Sequence, residues 1–191
     1  MKITDYVKLI DTLEALKINT RHSWLSDGRR ESVAEHSWRL TAMAYFIKDE
    51  FPNADINKVI LMCLFHDIGE AFTGDIPAFL KKSDDEADEE NVVFKFLNSL
   101  PTPYREELIP LFKEMAELKT LESRIYKALD KMEAVIQHNE ADISTWLPLE
   151  YELQLTYGEK EMEFSEYMKE LKKEANKRSI EKIEENKTLK V

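Results

Sequence analysis

With 191 residues, 43% of them hydrophobic, the chain is long enough for one domain with a sizeable core and too apolar for wholesale disorder. Lys and Arg total 27 against 38 Asp and Glu, a formal charge of -11; this argues against a nucleic-acid polymer or an anionic membrane as partner, yet leaves room for a small anion met by a local basic group or a metal. Four Gly and six Pro are few for a turn-rich all-β protein, Cys63 is the lone cysteine, no run approaches ~18 apolar residues and the N-terminus lacks the basic-then-apolar pattern of a secretory signal, so a reducing cytoplasm is the expected location.

Residues 3–17 place Ile3, Tyr6, Leu9, Ile10, Leu13 and Leu16 at helical spacing and predict an amphipathic helix. Asn19 to Glu31 reads as a polar loop with a turn at Ser26-Asp27-Gly28. Ser32-Val33-Ala34-Glu35 is a capping box, so His36 falls in the first turn of a helix expected to run to about Phe51, where Pro52 ends it. Asp55 or Asn57 caps the next helix, apolar on nearly every side and therefore central. Gly69 and Gly74 predict that it stops soon after His66-Asp67, leaving Glu70, Asp75 and Pro77 at its end and in the loop beyond. Ser83 to Asn98 is a helix whose acids, Asp84 to Glu90, crowd its positive end and read as a solvated start. Thr102-Pro103 reads as a cap followed by proline at the first helical position. Over 121–139, Leu121, Ile125, Leu129, Met132, Val135 and Ile136 form one stripe with Asp130 beside it. From about Glu159 the chain reads as a solvated helix with a frayed end. The expectation is one all-α domain over 1–191, with its core at about 3–158.

The chemistry concentrates at His66-Asp67. An apolar run leads straight into two good metal ligands, and burying such a pair is costly unless something satisfies it. His36 lies 30 residues earlier (66 minus 36), too far for a local zinc-finger motif, so the ligands must come from separate packed helices. Asp130, a lone acid edging an apolar stripe, is the best fourth candidate. A mixed His/Asp set suits Mn²⁺, Fe²⁺, Co²⁺, Ni²⁺ or Zn²⁺ without choosing among them. Glu70, three residues after Asp67, can share its face one turn on.

The order His36, His66-Asp67, Asp130 resembles the H…HD…D pattern of HD-domain metal phosphohydrolases. The flanking Arg21-His22-Ser23-Trp24, Glu31 to Ser37, His66 to Glu70, Thr73 to Pro77 and Leu129-Asp130 are similar to its 5′-deoxynucleotidase branch, over about residues 1–160. The resemblance implies the helical HD fold, a homodimer, and hydrolysis of deoxyribonucleoside 5′-monophosphates with a divalent ion such as Co²⁺ or Mn²⁺. It also implies roles. His36, His66, Asp67 and Asp130 ligate the metal, and Glu70 helps to activate or position the nucleophile. Arg21 holds the phosphate, Asp75 reads the sugar 3′-hydroxyl and disfavours a 2′-hydroxyl, and Trp24 packs near sugar or base. The loop after Trp24 looks about two residues shorter than the family pattern, which bears on Trp24, Arg29 and Arg30.

Blander readings stand beside these. Asp130 could pair with Lys127 or Lys131, Asp75 could be a turn former beside Gly74, and Arg21 a solvated charge. His138 reads as a surface or dimer contact, Glu122 as an exposed acid, and Met132, Phe94 and Phe96 as core. The nearest enzymatic alternative is another HD-type hydrolase acting on a pyrophosphate or triphosphate nucleotide. Ala71 after Glu70 counts against the alarmone hydrolases, which carry Glu-Asp there. The alternative from another class is a non-catalytic nucleotide or metal sensor.

Overall fold

The computed structural model describes residues 1–189; the side chains of residues 83–86 and 189 lie outside that description. The elements in chain order are α1 (Ile3–Ile18), β1 (Thr20–Trp24), β2 (Arg30–Ser32), α2 (Val33–Phe46), α3 (Ile56–Phe65), α4 (Glu70–Thr73), α5 (Ser83–Ser99), α6 (Thr102–Glu117), α7 (Leu121–Glu140), α8 (Glu150–Thr156), α9 (Glu159–Met162) and α10 (Glu166–Leu189). The fold is helical. The only sheet among the described residues is β1 paired antiparallel with β2, Thr20 opposite Ser32 and Trp24 opposite Arg30.

α7 is the axis, packing against α2, α3, α6, α9, α10 and β1. Its stripe of Ile125, Leu129, Met132 and Val135 meets Val59, Met62 and Cys63 of α3 and Leu40 and Ala44 of α2 in one apolar cluster. Phe94 and Phe96 of α5 pack against its edge. Side-chain caps set the starts of α2, α3 and α7. Ser32 Oγ accepts from the Glu35 amide while Glu35 accepts from the Ser32 amide. Asp55 accepts from the amides of Asn57 and Lys58, and Thr120 from that of Ser123. Each satisfies donors that the first helical turn leaves open.

Several elements differ from expectation. The segment 19–31 is a hairpin closed by Leu25 N–H to Arg29 carbonyl at 2.8 Å, with Gly28 at φ 88°. Its alternation is polar, so it carries none of the apolar signal of a strand. α2 stops at Phe46; Ile47 leaves helical geometry and a short 3₁₀ turn, Lys48–Glu50, follows, which buries Ile47 and Phe51 in the core. Thr102 lies inside α6 behind Pro101 and is not the cap. The C-terminal stretch is not simply solvated, because Met168, Lys172, Ala175 and Ser179 of α10 are buried. The frayed end falls partly on 190–191, outside the described residues, as does the side-chain part of the acidic block at 84–86. No helix among the described residues is long and apolar enough to cross a membrane.

Candidate metal centre

Three helices bring four side chains to one point. The capping box starts α2 at Val33 and so places His36 at its fourth residue, fully buried. α3 ends at Phe65, and His66 and Asp67 emerge from its last turn. Asp130 comes from the middle of α7. His36 Nε2 lies 3.2 Å from His66 Nε2, 3.3 Å from Asp130 Oδ1 and 3.8 Å from Asp67 Oδ2. His66 Nε2 lies 3.0 Å from Asp67 Oδ2 and 3.7 Å from Asp130 Oδ1. Two imidazole nitrogens facing each other among carboxylate oxygens form a donor set that fits a divalent cation. Among the described residues, His36, His66 and Asp67 form a cluster compact enough to share one ion, and so do Glu31, His36 and Glu133.

The far nitrogens are fixed by partners. His66 Nδ1 donates to the Cys63 carbonyl at 2.9 Å, a bond within the end of α3. His36 Nδ1 donates to Glu133 Oε2 in a very short contact. Glu133, fully buried, uses its other oxygen to accept from Arg39 Nε at 2.7 Å, and Arg39 reaches Glu140 at 2.6 Å. Such outer partners set which nitrogen carries the proton and aim the other at the ion.

The electrostatics follow from this crowding. Burial and Arg21 oppose protonation of His36, but Glu133 and Asp130 outweigh them and push it up to about 9. Burial works against the Asp67 anion, yet His66, His36 and Arg21 hold its carboxyl well below the usual range. Asp130 is likewise held low against burial, chiefly by Lys127, whose ammonium lies 2.8 Å from Oδ2. The bland pairing with Lys127 is therefore present, and it uses the oxygen that does not face the imidazoles. Glu70 behaves oppositely: burial, then the charges of Asp67 and Asp75, push it up to about 9. Its Oε2 is buried with no protein partner.

Arg21, projecting from β1, donates from Nη1 to Asp67 Oδ2 at 3.5 Å, and its Nε lies 3.4 Å from Glu31 Oε2. Arg21 and Asp75 line one cleft of about 610 Å³ of empty space, solvent included, between β1, the loop after α4, α7 and α8. Gly74 at φ 75° makes the turn that delivers Asp75 there. Gly69 lets α5 approach the segment behind the His-Asp pair: a Cβ there would stand 2.7 Å from Val93 Cγ2.

Trp24 does not line the cleft. Its ring meets the edge of His22 at 4.9 Å, carries the Arg30 guanidinium at 5.3 Å, and its carbonyl accepts from Gln137. Arg29 pairs with Glu35 of the capping box. Glu122 sits away from the ligands, accepting from the Asp55 amide at 2.9 Å and facing Lys58. His138 is neither surface nor free; it lies half-buried beside Glu150 and Trp146. Glu133, Arg39 and Glu31 were missed by sequence reasoning. A signal existed for Glu133, which stands one turn after Asp130 on the apolar side of α7. Arg39 carried none, since its partners Glu133 and Glu140 lie on α7, and Glu31 carried none because the hairpin that sets it beside Arg21 leaves no apolar pattern.

Comparison with known proteins sets this geometry in a family. The HD domain model matches residues 13–172. The 5′-deoxynucleotidase HDDC2 of Dictyostelium discoideum is 28% identical over 71% of this chain and 76% of its own length. The human protein of that name is 34% identical over 59% of this chain and 55% of its own length, so the match spans little more than half of it. A crystal structure described as a predicted metal-dependent phosphohydrolase from Magnetospirillum magnetotacticum superposes with a TM-score of 0.73 at 26% identity, covering 92% of this chain and 93% of that one. A conserved hypothetical protein from Pyrococcus furiosus gives 0.71 at 29% identity, covering 90% and 99%. With the family model spanning most of the chain and its H…HD…D residues meeting at one point in space, this chain belongs to the HD domain family.

Proposed function

We propose that this chain is a metal-dependent phosphohydrolase that removes the 5′-phosphate from deoxyribonucleoside 5′-monophosphates. The observation that carries it is the meeting of the His36, His66, Asp67 and Asp130 donor atoms beside an arginine that opens onto a cleft. The relatives named 5′-deoxynucleotidase support the substrate class. A divalent ion held by those four residues supplies charge that polarises a phosphoryl oxygen and favours deprotonation of water. Co²⁺ or Mn²⁺ is the proposed native ion, in keeping with the mixed His/Asp donors.

The chain's own groups do the rest. Arg21 presents a guanidinium matched to phosphate oxygens, and its pairing with Asp67 and Glu31 holds it in place before substrate arrives. Glu70, a buried carboxyl with one unpartnered oxygen, positions the attacking water. Asp75 meets the sugar 3′-hydroxyl from the same cleft as Arg21. Trp24 acts at one remove, through the His22 ring it supports.

The chain is further proposed to form one domain, to work in the cytoplasm and to pair as a homodimer. Support for pairing is the apolar surface left open on α1 and α2, with Ile3 82% and Phe46 80% exposed. The decisive experiment strips metal from the purified chain and measures phosphate release from dAMP and AMP with added Co²⁺ or Mn²⁺. Release is expected from dAMP, with AMP slower. No release from any deoxymonophosphate would falsify the proposal and leave the sensor reading, which requires metal and nucleotide binding without turnover.

A further inference from the structure

One wall of the cleft is the loop between α4 and α5, residues 74–82, and it is anchored outside the cleft. Asp75, Pro77, Ala78 and Phe79 line the cleft, whereas Lys81, near the far end of the loop, does not. The Pro77 carbonyl accepts from the amides of Leu80 at 2.8 Å and Lys81 at 3.1 Å. Pro77 to Lys81 is thus one tight turn, and a hold on Lys81 is a hold on Phe79. Lys81 Nζ donates to Glu89 Oε2 of α5. Both side chains are mostly covered, 26% exposed for Lys81 and 19% for Glu89, so the pair is sheltered from the screening that makes exposed pairs weak.

Glu89 reaches Lys81 by lying across Gly69. A Cβ on Gly69 would stand 2.9 Å from Glu89 Cγ and 3.4 Å from Glu89 Oε1. The missing side chain that lets α5 close on the segment of His66, Asp67 and Glu70 therefore also seats the carboxylate that holds the loop. At its near end the loop is tied by the Gly74 amide, which donates to the Glu70 carbonyl at 3.0 Å. In its middle, Phe79 meets the His22 ring of β1 at 5.4 Å. The charges agree with this placement. Burial disfavours the Lys81 ammonium, yet Glu89, Glu70 and Asp67 hold it above the ordinary lysine range. Burial pushes the Asp75 carboxyl up, and Lys81 stands with Arg21 among the cations that oppose it.

We propose that the Lys81–Glu89 ion pair is a latch that holds the 74–82 loop where Asp75 meets the sugar, so that preference for deoxyribose over ribose depends on α5. This rests on the proposed phosphohydrolase reading, which assigns the sugar to Asp75. Lys81 and Glu89 are positioning residues, since neither lines the cleft. Gly74, at φ 75°, gives the near end of the loop a glycine on which to turn. With Lys81 released, the turn keeps its contact at Phe79 but loses this tie to α5. The Asp75 carboxylate then loses the fixed placement on which discrimination between two sugars differing by one hydroxyl depends.

The test follows the ratio of kcat/KM for dAMP to that for AMP in the Co²⁺-loaded chain. Lys81→Met and Glu89→Gln are each expected to lower that ratio about 5- to 10-fold, the scale of one hydrogen bond. The double variant should fall no further than either single, because each removes the same pair. Lys81→Arg keeps the charge and the reach and should retain most of the wild-type ratio. The ratio is internal to each variant, so loss of folded protein does not move it. Glu89→Gln leaves the lysine charge in place, so a ratio that falls with Lys81→Met but not with Glu89→Gln shows a charge effect on Asp75 and overturns the latch. Amide hydrogen exchange at Leu80 and Lys81 in the metal-free chain reads the turn without catalysis. It should quicken about 5- to 10-fold in both single variants, and exchange unchanged in both overturns the latch. A wild-type ratio near one with turnover intact also overturns it while the phosphohydrolase reading stands. Without turnover on any deoxymonophosphate that reading falls, and calorimetric binding of dAMP and AMP to the full chain in chelator replaces the ratio. A preference for dAMP that both variants lose supports the latch, and equal binding overturns it.

Discussion

Glu133→Gln separates what a buried carboxylate does for His36 from what it does for the fold. In the wild type, Glu133 accepts from His36 Nδ1 and from Arg39 Nε, with no exposure of its own. An amide of the same shape can satisfy only one of these donors. If its oxygen turns to Arg39, its NH₂ meets His36 Nδ1 and forces the proton onto Nε2, the nitrogen aimed at the other ligands. Two effects on metal affinity then oppose each other. Loss of the carboxylate weakens ligation by about 10- to 100-fold, the usual consequence of removing such a partner. It also removes the chief cause that lifts His36 to about 9, so the proton competes less with the metal. At pH 7 a group with a pKa near 9 carries a competition factor of about 100, which nearly vanishes if the pKa falls to an ordinary ~6.5. The two cancel to within about a decade at pH 7 and separate above pH 9. Between about pH 6.5 and 9, wild-type affinity is expected to gain about one decade more per pH unit than Glu133→Gln. At pH 9.5 the variant should be weaker by the full 10- to 100-fold. Stability falls as well for Glu133→Ala, because Arg39 keeps only its exposed ion-pair partner Glu140 and His36 Nδ1 loses its acceptor, and it falls less for Gln. The assay is Co²⁺ titration of the stripped chain by calorimetry at four pH values, with thermal melts alongside. Equal pH slopes for wild type and Glu133→Gln would refute the argument that this carboxylate governs the His36 proton.

Two further expectations come from packing. Gly69→Ala puts a methyl 2.7 Å from Val93 Cγ2 and 2.9 Å from Glu89 Cγ, and overpacking of this kind costs about 1–3 kcal/mol; a denaturant midpoint unchanged from wild type would show that α5 gives way freely. Lys172 is buried with its ammonium on the Gln154 carbonyl at 3.0 Å, and burial lowers it to about 8. The folded-state value lies below the unfolded ~10.4, so between these the unfolded chain binds more protons and stability rises with pH. Lys172→Met should therefore stabilise by about 1–3 kcal/mol at pH 7, with the gain fading as pH climbs from about 8 to about 10.5 in chemical denaturation. A gain independent of pH would mean that the charge is not the cause.

How much of this was legible in the sequence depends on whether the signal was local. The capping box Ser32–Glu35 fixes both the start of α2 and the turn on which His36 sits, within four residues, and it is present as read. The apolar run before His66 announces a buried helix, and Gly69 and Gly74 its end, because close approach and positive φ leave marks in residue type. The hairpin at 20–32 was not readable. Its strands alternate polar groups, and Arg21 is held by Glu31 across the hairpin and by Asp67 beyond α3 rather than by an apolar face. The end of α2 was misplaced because Pro52 was a visible breaker, whereas burial of Ile47 and Phe51 turns the chain earlier.

The same division runs through the site. His36, His66, Asp67 and Asp130 could be named from residue type and position, since each is a ligand-capable group standing where a helix buries it. The groups that tune them could not. Glu133 stands on the apolar side of α7, which marks it as buried, but its role shows only once α2 is docked and brings His36 and Arg39 to its two oxygens. His138 had no partner at helical spacing and so read as surface; its partners are His22 on β1 and Glu150 on α8, an element absent from the expected layout. Residues that bind metal are limited to a few types and declare themselves. Residues that set a proton act through pairings that exist only after folding, so the tuning of the His36 imidazole is a tertiary property of α2 docked on α7.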